Sequence, residues 1–270
     1  MSTNSVASPA GPAGSFAAPI TSVSRPVDAV MRFRGIGITE TVSFPPAPQR
    51  QCWVYVTVNA EVALTMPQNP SLQALLHSQR ARVSVDGQWI WWALRRKYAD
   101  RPLEKMAGSD LIHELARHCA TSGQRLLLLG SSASANASAV HRLQRRWPGL
   151  LVGGHAPRHF TPGEDSEHAA LDESLEVIRN YRPDFVVLGL GPDKQYSFAL
   201  DLASELDGSV KGLLCFGGAI DMASGQVKRA PLWWQRCGLE GIYRIFQQPS
   251  RLPRFLRLLP IVPIVAFKRY

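Results

Sequence analysis

Asp86 stands at the end of an alternating apolar run, RVSVDG (82–87), and is followed directly by glycine. A carboxylate placed there can take a proton from an attacking hydroxyl. The same pair also makes an ordinary turn. A second stretch, GLGPDKQ (189–195), follows an apolar run and opens a helical segment. Gly189 and Gly191 let the backbone approach a ligand closely, and a helix start favours an anion. Lys194 and Gln195 add a charge and amide donors. The alternative is a tight strand-to-helix turn that holds nothing. Asp221 follows Gly217-Gly218-Ala219 and either binds a ligand or caps a turn.

Other chemistries lack their patterns. There is no G-x-G-x-x-G and no G-x-x-x-x-G-K-[ST], so neither a dinucleotide site nor a P-loop is indicated. His155 and His159 are four apart, but Pro157 lies between them and no acidic partner has metal-ligand spacing, so no metal is expected. Ser131, Ser132 and Ser134 lie in a small-residue loop without a nucleophile elbow. Cys52, Cys119, Cys215 and Cys237 are widely spaced with no C-x-x-C, which argues against a zinc or disulfide framework. They read as small core residues and suit a reducing compartment.

The scaffold that must position these groups is legible in the middle of the chain. RLLLLGSS (125–132), DFVVLGLG (184–191) and GLLCFGGA (212–219) are short apolar runs ending in glycine, as buried parallel strands do. Helical stretches are predicted between and beside them at 109–122, 133–147, 167–181 and 194–206. Ser109 is the expected cap of the first, and Gly123 its stop. QCWVYVTVNA (51–60) and RVSVDG alternate like further strands. The fold class is therefore α/β, with a mostly parallel Rossmann-like sheet flanked by helices. Ligands of such sheets sit beyond the carboxyl ends of the strands. Thr57, Asn59, Asp86, the Gly130 to Ser132 turn, Gly189 to Gln195 and Gly217 to Asp221 should converge there.

The ends of the chain differ from the middle. Residues 1–26 are rich in Ala, Ser, Pro and Gly and read as a disordered leader rather than a secretory signal. Residues 27–227 read as the α/β catalytic domain. Residues 228–270 carry nine Lys or Arg against one acid, Glu240, a net +8 of the +9 formal charge of the 270-residue chain. Arg251, Arg254 and Arg257 recur every three residues among Leu252, Phe255, Leu256, Leu258 and Leu259. One basic and one apolar face suit an interfacial segment on an anionic membrane. Arginine forks also match phosphate oxygens. The competing reading is a solvated basic helix packed on the domain. The apolar run LPIVPIVAF is too short to span a bilayer, which takes about 20 residues, and Pro260 and Pro263 break it; it can lie on a membrane.

These stretches resemble the WecG/TagA/CpsF family of bacterial glycosyltransferases over residues 54–258. The most specific segment is GGAIDMASGQVKRAPLWWQRCGLEGIYRIFQQPSRLPRF, where the family shows a Gly-rich turn, Phe-Asp, Arg-Ala-Pro, Gly-Leu-Glu-Trp, Tyr-Arg and Pro-x-Arg at fixed spacing. TVNAE (57–61), Asp86-Gly87, AGSDL (107–111) and GLGPDKQ agree in order. The resemblance implies inverting, metal-independent transfer of a sugar from a UDP-sugar to a polyprenyl-diphosphate-linked saccharide in surface polysaccharide synthesis. It implies work at the cytoplasmic membrane face, no cofactor and no nucleic acid, and it allows a homo-oligomer. Asp86 matches the position of the base, with Thr57 and Asn59 beside it. Gln195 and Asp221 match positions that line the nucleotide-sugar pocket, and Gly189, Gly191 and Lys194 of the same loop stand with them as substrate-binding candidates. Arg229, Arg244, Arg251 and Arg254 belong to an appendage that closes over the site and contacts diphosphate. Tyr196 in place of Glu, Gly241 in place of Trp, Trp89 after the Asp-Gly pair, and Pro192-Asp193 depart from the pattern. They bear on the sugars more than on the reaction. Two other classes remain: a non-catalytic basic protein binding membranes or nucleic acid, and a UDP-sugar-modifying enzyme such as an epimerase, which would need a nicotinamide site.

Overall fold

The computed structural model describes residues 31–39, 44–45 and 51–267. The leader at 1–26, and Lys268 and Arg269 of the tail, lie outside the described residues. The chain opens with an antiparallel hairpin, β1 (Met31–Phe33) and β2 (Ile36–Ile38). It continues through β3 (Trp53–Val58), α1 (Ala60–Thr65), α2 (Pro70–His77), β4 (Ala81–Val85), α3 (Gln88–Lys97), α4 (Gly108–Ser122), β5 (Arg125–Gly130), α5 (Ala133–Arg146) and β6 (Leu151–His155). Then come α6 (Asp165–Tyr181), β7 (Phe185–Gly189), α7 (Gln195–Glu205), β8 (Gly212–Cys215) and α8 (Ala219–Ala223). The tail adds α9 (Leu232–Arg236), α10 (Glu240–Gln247), α11 (Leu252–Leu256) and α12 (Ile261–Ala266).

Six strands form one sheet in the order β4-β3-β8-β7-β5-β6, and every neighbouring pair is parallel. The expectation of a mostly parallel sheet sharpens to an all-parallel one. Side chains alternate between its faces with the period of two that a strand imposes. Val54, Val56, Leu127, Leu129, Val186 and Leu188 pack on one side with Leu72, Ile90 and Phe198 from helices. Trp53, Tyr55, Leu126, Leu128 and Val187 pack on the other with Ile112, Leu115, Leu143 and Ile220. Both faces are covered, so the inner strands need continuous apolar runs rather than polar alternation. Fully burying one such leucine stabilises by roughly 1.5–3 kcal/mol, and Leu128→Asp would place an unpaired carboxylate in this layer.

Several boundaries differ from expectation. α4 starts at Gly108, with Ala107 as the residue before it, so Ser109 lies inside the first turn and does not cap the helix. Gly123 does end it, at φ 68°. β6 and the β1–β2 hairpin were not expected from the pattern. LVGGH holds two glycines and is only partly buried, and the hairpin strands have three residues each. The tail is a chain of short helices: Pro249 opens a 3-10 turn, Pro253 stands in the first turn of α11 and Pro260 directly precedes α12, positions where a proline is tolerated, and Pro263 lies within the first turn of α12. Its last piece does not lie free: Ile261 and Val265 are buried in the same core as the sheet, and Arg96 Nη2 donates to the Val265 carbonyl at 3.5 Å. Cys52, Cys119 and Cys215 are buried as expected, whereas Cys237, between α9 and α10, is exposed.

Candidate active site

β3 and β4 run side by side with Val58 opposite Val85. The ladder continues one step further, since the Asp86 and Gly87 amides both donate to the Val58 carbonyl, at 2.9 and 3.4 Å. This fixes Asp86 beside Asn59. Asn59 in turn caps α1, its Oδ1 accepting from the Glu61 and Val62 amides at 3.0 and 3.1 Å. A cap of this kind stabilises a helix by about 1 kcal/mol, so the residue that faces the site also anchors the element behind it.

A polar cavity of about 210 Å³ opens over these carboxyl ends. Thr57, Asn59 and Asp86 form one side, Gly189, Gly191 and Gln195 another, and Gly217, Gly218 and Asp221 a third. The tail supplies the roof with Glu240, Arg244, Arg251 and Arg254. Ser109, read as a cap, is part of the lining. Asp221 sits in the first turn of α8 and accepts a short hydrogen bond from the Ser131 hydroxyl, so the turn after β5 holds its carboxylate in place. Gln195 starts α7 and is buried, and its Oε1 has no protein partner among the described residues. A buried acceptor without a donor is costly, about 1–3 kcal/mol, and this one lines the cavity where a ligand N–H or O–H would satisfy it.

Two predicted residues are placed elsewhere. The Lys194 ammonium donates to the Phe160 carbonyl and lies 4.8 Å from the Phe160 ring centroid, outside the cavity lining. Arg229 pairs with Asp110 in the first turn of α4 and is also outside the lining. That pair ties the Arg-Ala-Pro stretch to the Ala-Gly-x-Asp-Leu stretch.

The other arginines face the cavity. A Cβ on Gly218 would come within 3.0 Å of Arg244 Nη2, so glycine there lets the guanidinium lie against the β8 turn. Arg254 pairs with Glu61, with Nε to Oε1 at 2.5 Å. Arg251 Nε donates to Gln248 Oε1. Burial, and then its neighbours Arg244 and Arg254, hold the Arg251 pKa below its ordinary value. Neither Arg244 nor Arg251 has a carboxylate within 4.0 Å among the described residues. The roof therefore carries cationic charge that an anion would neutralise.

Asp86 is pushed up to about 6, first by burial and then by the Glu240 carboxylate, against the pull of Arg244, Arg229 and Lys105. Lys105 lies on the same wall, where its Nζ donates to Gln88 Oε1 at 2.9 Å and burial lowers its pKa. Three charged residues here were not singled out from sequence: Glu61, Lys105 and Glu240. Glu61 and Glu240 are visible only as members of the Thr-x-Asn-x-Glu and Gly-Leu-Glu stretches. Lys105 carries no signal at all, because it reaches the site through an isolated bridge to Val85 from an otherwise irregular connection. Among the described residues no three His, Cys, Asp or Glu side chains gather as metal ligands. His155 instead meets Glu173, Nε2 to Oε1 at 3.0 Å.

A second cavity of about 350 Å³ lies behind the first, beneath α10 to α12. Asn59, Glu61, Asp86, Glu240, Arg244, Arg251 and Arg254 line both. Asp86 thus stands at the junction of two spaces. The model of the WecG/TagA/CpsF glycosyl transferase family, a class of sugar-transferring enzymes, matches residues 31–270, and the chain is a member of that family. A transferase of this kind takes one sugar donor and one acceptor.

Proposed function

We propose that the protein is an inverting, metal-independent glycosyltransferase that moves a hexosyl or N-acetylhexosaminyl group from a UDP-sugar to a saccharide on a polyprenyl diphosphate. The observation that carries the reading is the position of Asp86 on the wall common to both cavities. The donor occupies the polar cavity, with Gly189, Gly191, Gln195 and Asp221 about it. The acceptor hydroxyl enters from the second cavity. Asp86 takes the proton as that oxygen attacks the anomeric carbon, and UDP leaves from the opposite face. Thr57 and Asn59 hold the reacting groups beside the carboxylate. The charge developing on the departing diphosphate meets Arg244, Arg251 and Arg254, so the step needs no other cation. Lys194 and Arg229 act from behind this layer, as supports of the Gly189 to Gln195 turn and of the tail.

The acceptor lipid stays in the bilayer, so the enzyme works at the inner face of the cell membrane. No helix among the described residues is long and apolar enough to cross a membrane. Peripheral attachment through the tail is supported by its exposed apolar side chains, among them Phe246 at 75%, Leu232 at 69% and Trp233 at 59%. The test is a panel of UDP-sugars assayed against a lipid-diphosphate-linked sugar. Calorimetry with UDP and with a single-stranded oligonucleotide decides against the non-catalytic alternative. UDP should bind, and an oligonucleotide that bound while UDP did not would overturn the transferase reading.

A further inference from the structure

The turn after β5 holds a serine in a backbone conformation that serine avoids. Among the described residues, three that are not glycine have a positive φ: Arg34, Ser131 and Arg182. Arg34 sits in the β1–β2 hairpin turn and Arg182 ends α6, places where left-handed residues are routine. Ser131, at φ 63°, is in neither position; it joins β5 to α5. Its surroundings impose the conformation. The Ser131 amide donates to the Gly189 carbonyl at 2.9 Å, and the buried Asn136 Nδ2 donates to the Gly130 carbonyl at 2.8 Å. A Cβ on Gly130 would lie 2.9 Å from the Gly189 carbonyl, so the turn is pressed against the end of β7. Glycine at 131 would take the same φ without a steric penalty. What serine adds is a hydroxyl.

That hydroxyl donates to Asp221 Oδ1. Among the described residues no other hydrogen bond, and no cation within 4.0 Å, holds the Asp221 carboxylate. α8 is anchored without this bond. Ala219, Ile220 and Ala223 are buried in the core, and the Asp221 carbonyl accepts from the Ser224 hydroxyl at 2.6 Å and the Val227 amide at 3.4 Å. With Oδ1 taken, Oδ2 is the oxygen left for a ligand. It lies 3.9 Å from where a Cβ on Gly218 would stand, and Arg244 Nη2 lies 3.0 Å from the same point. A bare stretch of glycine backbone is thus flanked by an acceptor and a cation.

Four carboxylates line the two cavities, and Asp221 alone borders only the polar one. Glu61 is paired with Arg254, and Glu240 acts on Asp86 at the shared wall. An ionised carboxylate accepts and cannot donate, so Asp221 repels the phosphate that Arg244 attracts and requires an O–H or N–H instead. A sugar hydroxyl next to a diphosphate meets both demands. We infer that Ser131 is a positioning residue, whose hydroxyl fixes the Asp221 carboxylate to accept from a hydroxyl of the sugar nucleotide, on the ribose or on the transferred sugar. The inference rests on the UDP-sugar reading above.

The test is calorimetry on the full chain with UDP and with UDP-N-acetylglucosamine, beside urea melts. Ser131→Gly should weaken UDP-N-acetylglucosamine about tenfold, the scale of one hydrogen bond to a charged group, with a urea midpoint no lower than that of the unaltered protein. An equal loss for UDP assigns the hydroxyl to the ribose, and unchanged UDP binding assigns it to the transferred sugar. Ser131→Ala keeps a Cβ at positive φ but no hydroxyl, so it should match Ser131→Gly in binding and melt at lower urea. In an Asp221→Ala background Ser131→Gly should weaken binding by less than about twofold further. In transfer assays Ser131→Gly should raise the donor KM about tenfold and leave the acceptor KM unchanged. Unchanged binding in Ser131→Gly, an undiminished loss in the Asp221→Ala background, or a rise in both KM values would overturn the assignment. So would a urea midpoint that falls together with binding, the mark of a purely structural tie, or a Ser131→Ala variant as stable as Ser131→Gly. These outcomes leave nucleotide binding by the unaltered protein intact. An unaltered protein that binds neither probe defeats the UDP-sugar reading itself, and the assignment with it.

Discussion

The sheet and the tail treat apolar residues in opposite ways. In β5, Leu126 to Leu129 are essentially fully buried between two helical layers. In the tail, Leu232, Trp233, Phe246, Leu252 and Leu256 face outward, while Arg244 and Arg251 turn in over the cavity. The sheet satisfies itself. The tail is inside out by comparison, and is held by discrete fasteners: Arg254 on Glu61, Arg229 on Asp110, and Ile261 and Val265 against the core. The difference teaches that one half of the cavity is built on strands buried on both faces, whereas the arginine half depends on a segment whose outer surface is apolar and exposed.

The harshest way to break the comparison is to remove the tail. A chain ending at Arg229 should keep its sheet, read by circular dichroism, and lose sugar transfer and binding to anionic vesicles altogether. Asp86→Asn should come next, lowering kcat about 10²–10⁴-fold, the range for general bases, while UDP still binds by calorimetry. In the unaltered enzyme the base is the ionised form, so kcat/KM should fall as pH drops through about 6, and Asp86→Asn should lose that limb. The linked stability effect has the opposite sense. A folded-state value above the ordinary 3.8 means that ionisation opposes folding, so the stability Asp86 contributes is full below about 3.8 and lost as pH rises through about 6. Urea melts of the two proteins across this window check it.

Arg244→Ala should cost about 10²–10³ in kcat, the scale seen when one preorganised donor is removed, with the sheet unaffected. Trp233→Ser combined with Phe246→Ser should leave UDP affinity unchanged and weaken vesicle partitioning, by roughly 1.5–3 kcal/mol per side chain if each inserts fully. The smallest effect belongs to Glu61→Gln. Arg254 is partly exposed, so the pair is screened, and about 0.2–1 kcal/mol of tail docking should be lost, read as faster proteolysis within 228–270.

What was legible in the sequence follows the same division. Strands buried on both faces must be apolar throughout, so β5, β7 and β8 could be read directly, and the rule that sites lie past strand ends located Thr57, Asn59, Asp86, Gln195 and Asp221. β6 escaped because Gly153 and Gly154 give it no apolar run; a Cβ on Gly154 would meet Asn136 Oδ1. Lys105 and Glu240 escaped because a charge acquires meaning only from what stands opposite it, and here that is Asp86. The every-third arginines suggested one continuous basic face. The helical stretch from Arg251 to Arg257 is unbroken, but Arg251 and Arg254 turn inward to the cavity instead of forming an outer face.

The cysteines carry a practical consequence. Burial raises the Cys52 and Cys119 thiols to about 12 and moves Cys215 upward as well, so these three stay protonated and sheltered at neutral pH. Cys237 alone of the four stands in solvent, in the link between the first two helices of the arginine-bearing segment. A maleimide dye should therefore attach at one defined position on the native enzyme without any engineering, and its emission could follow opening and seating of that segment in real time as nucleotide and vesicles are added.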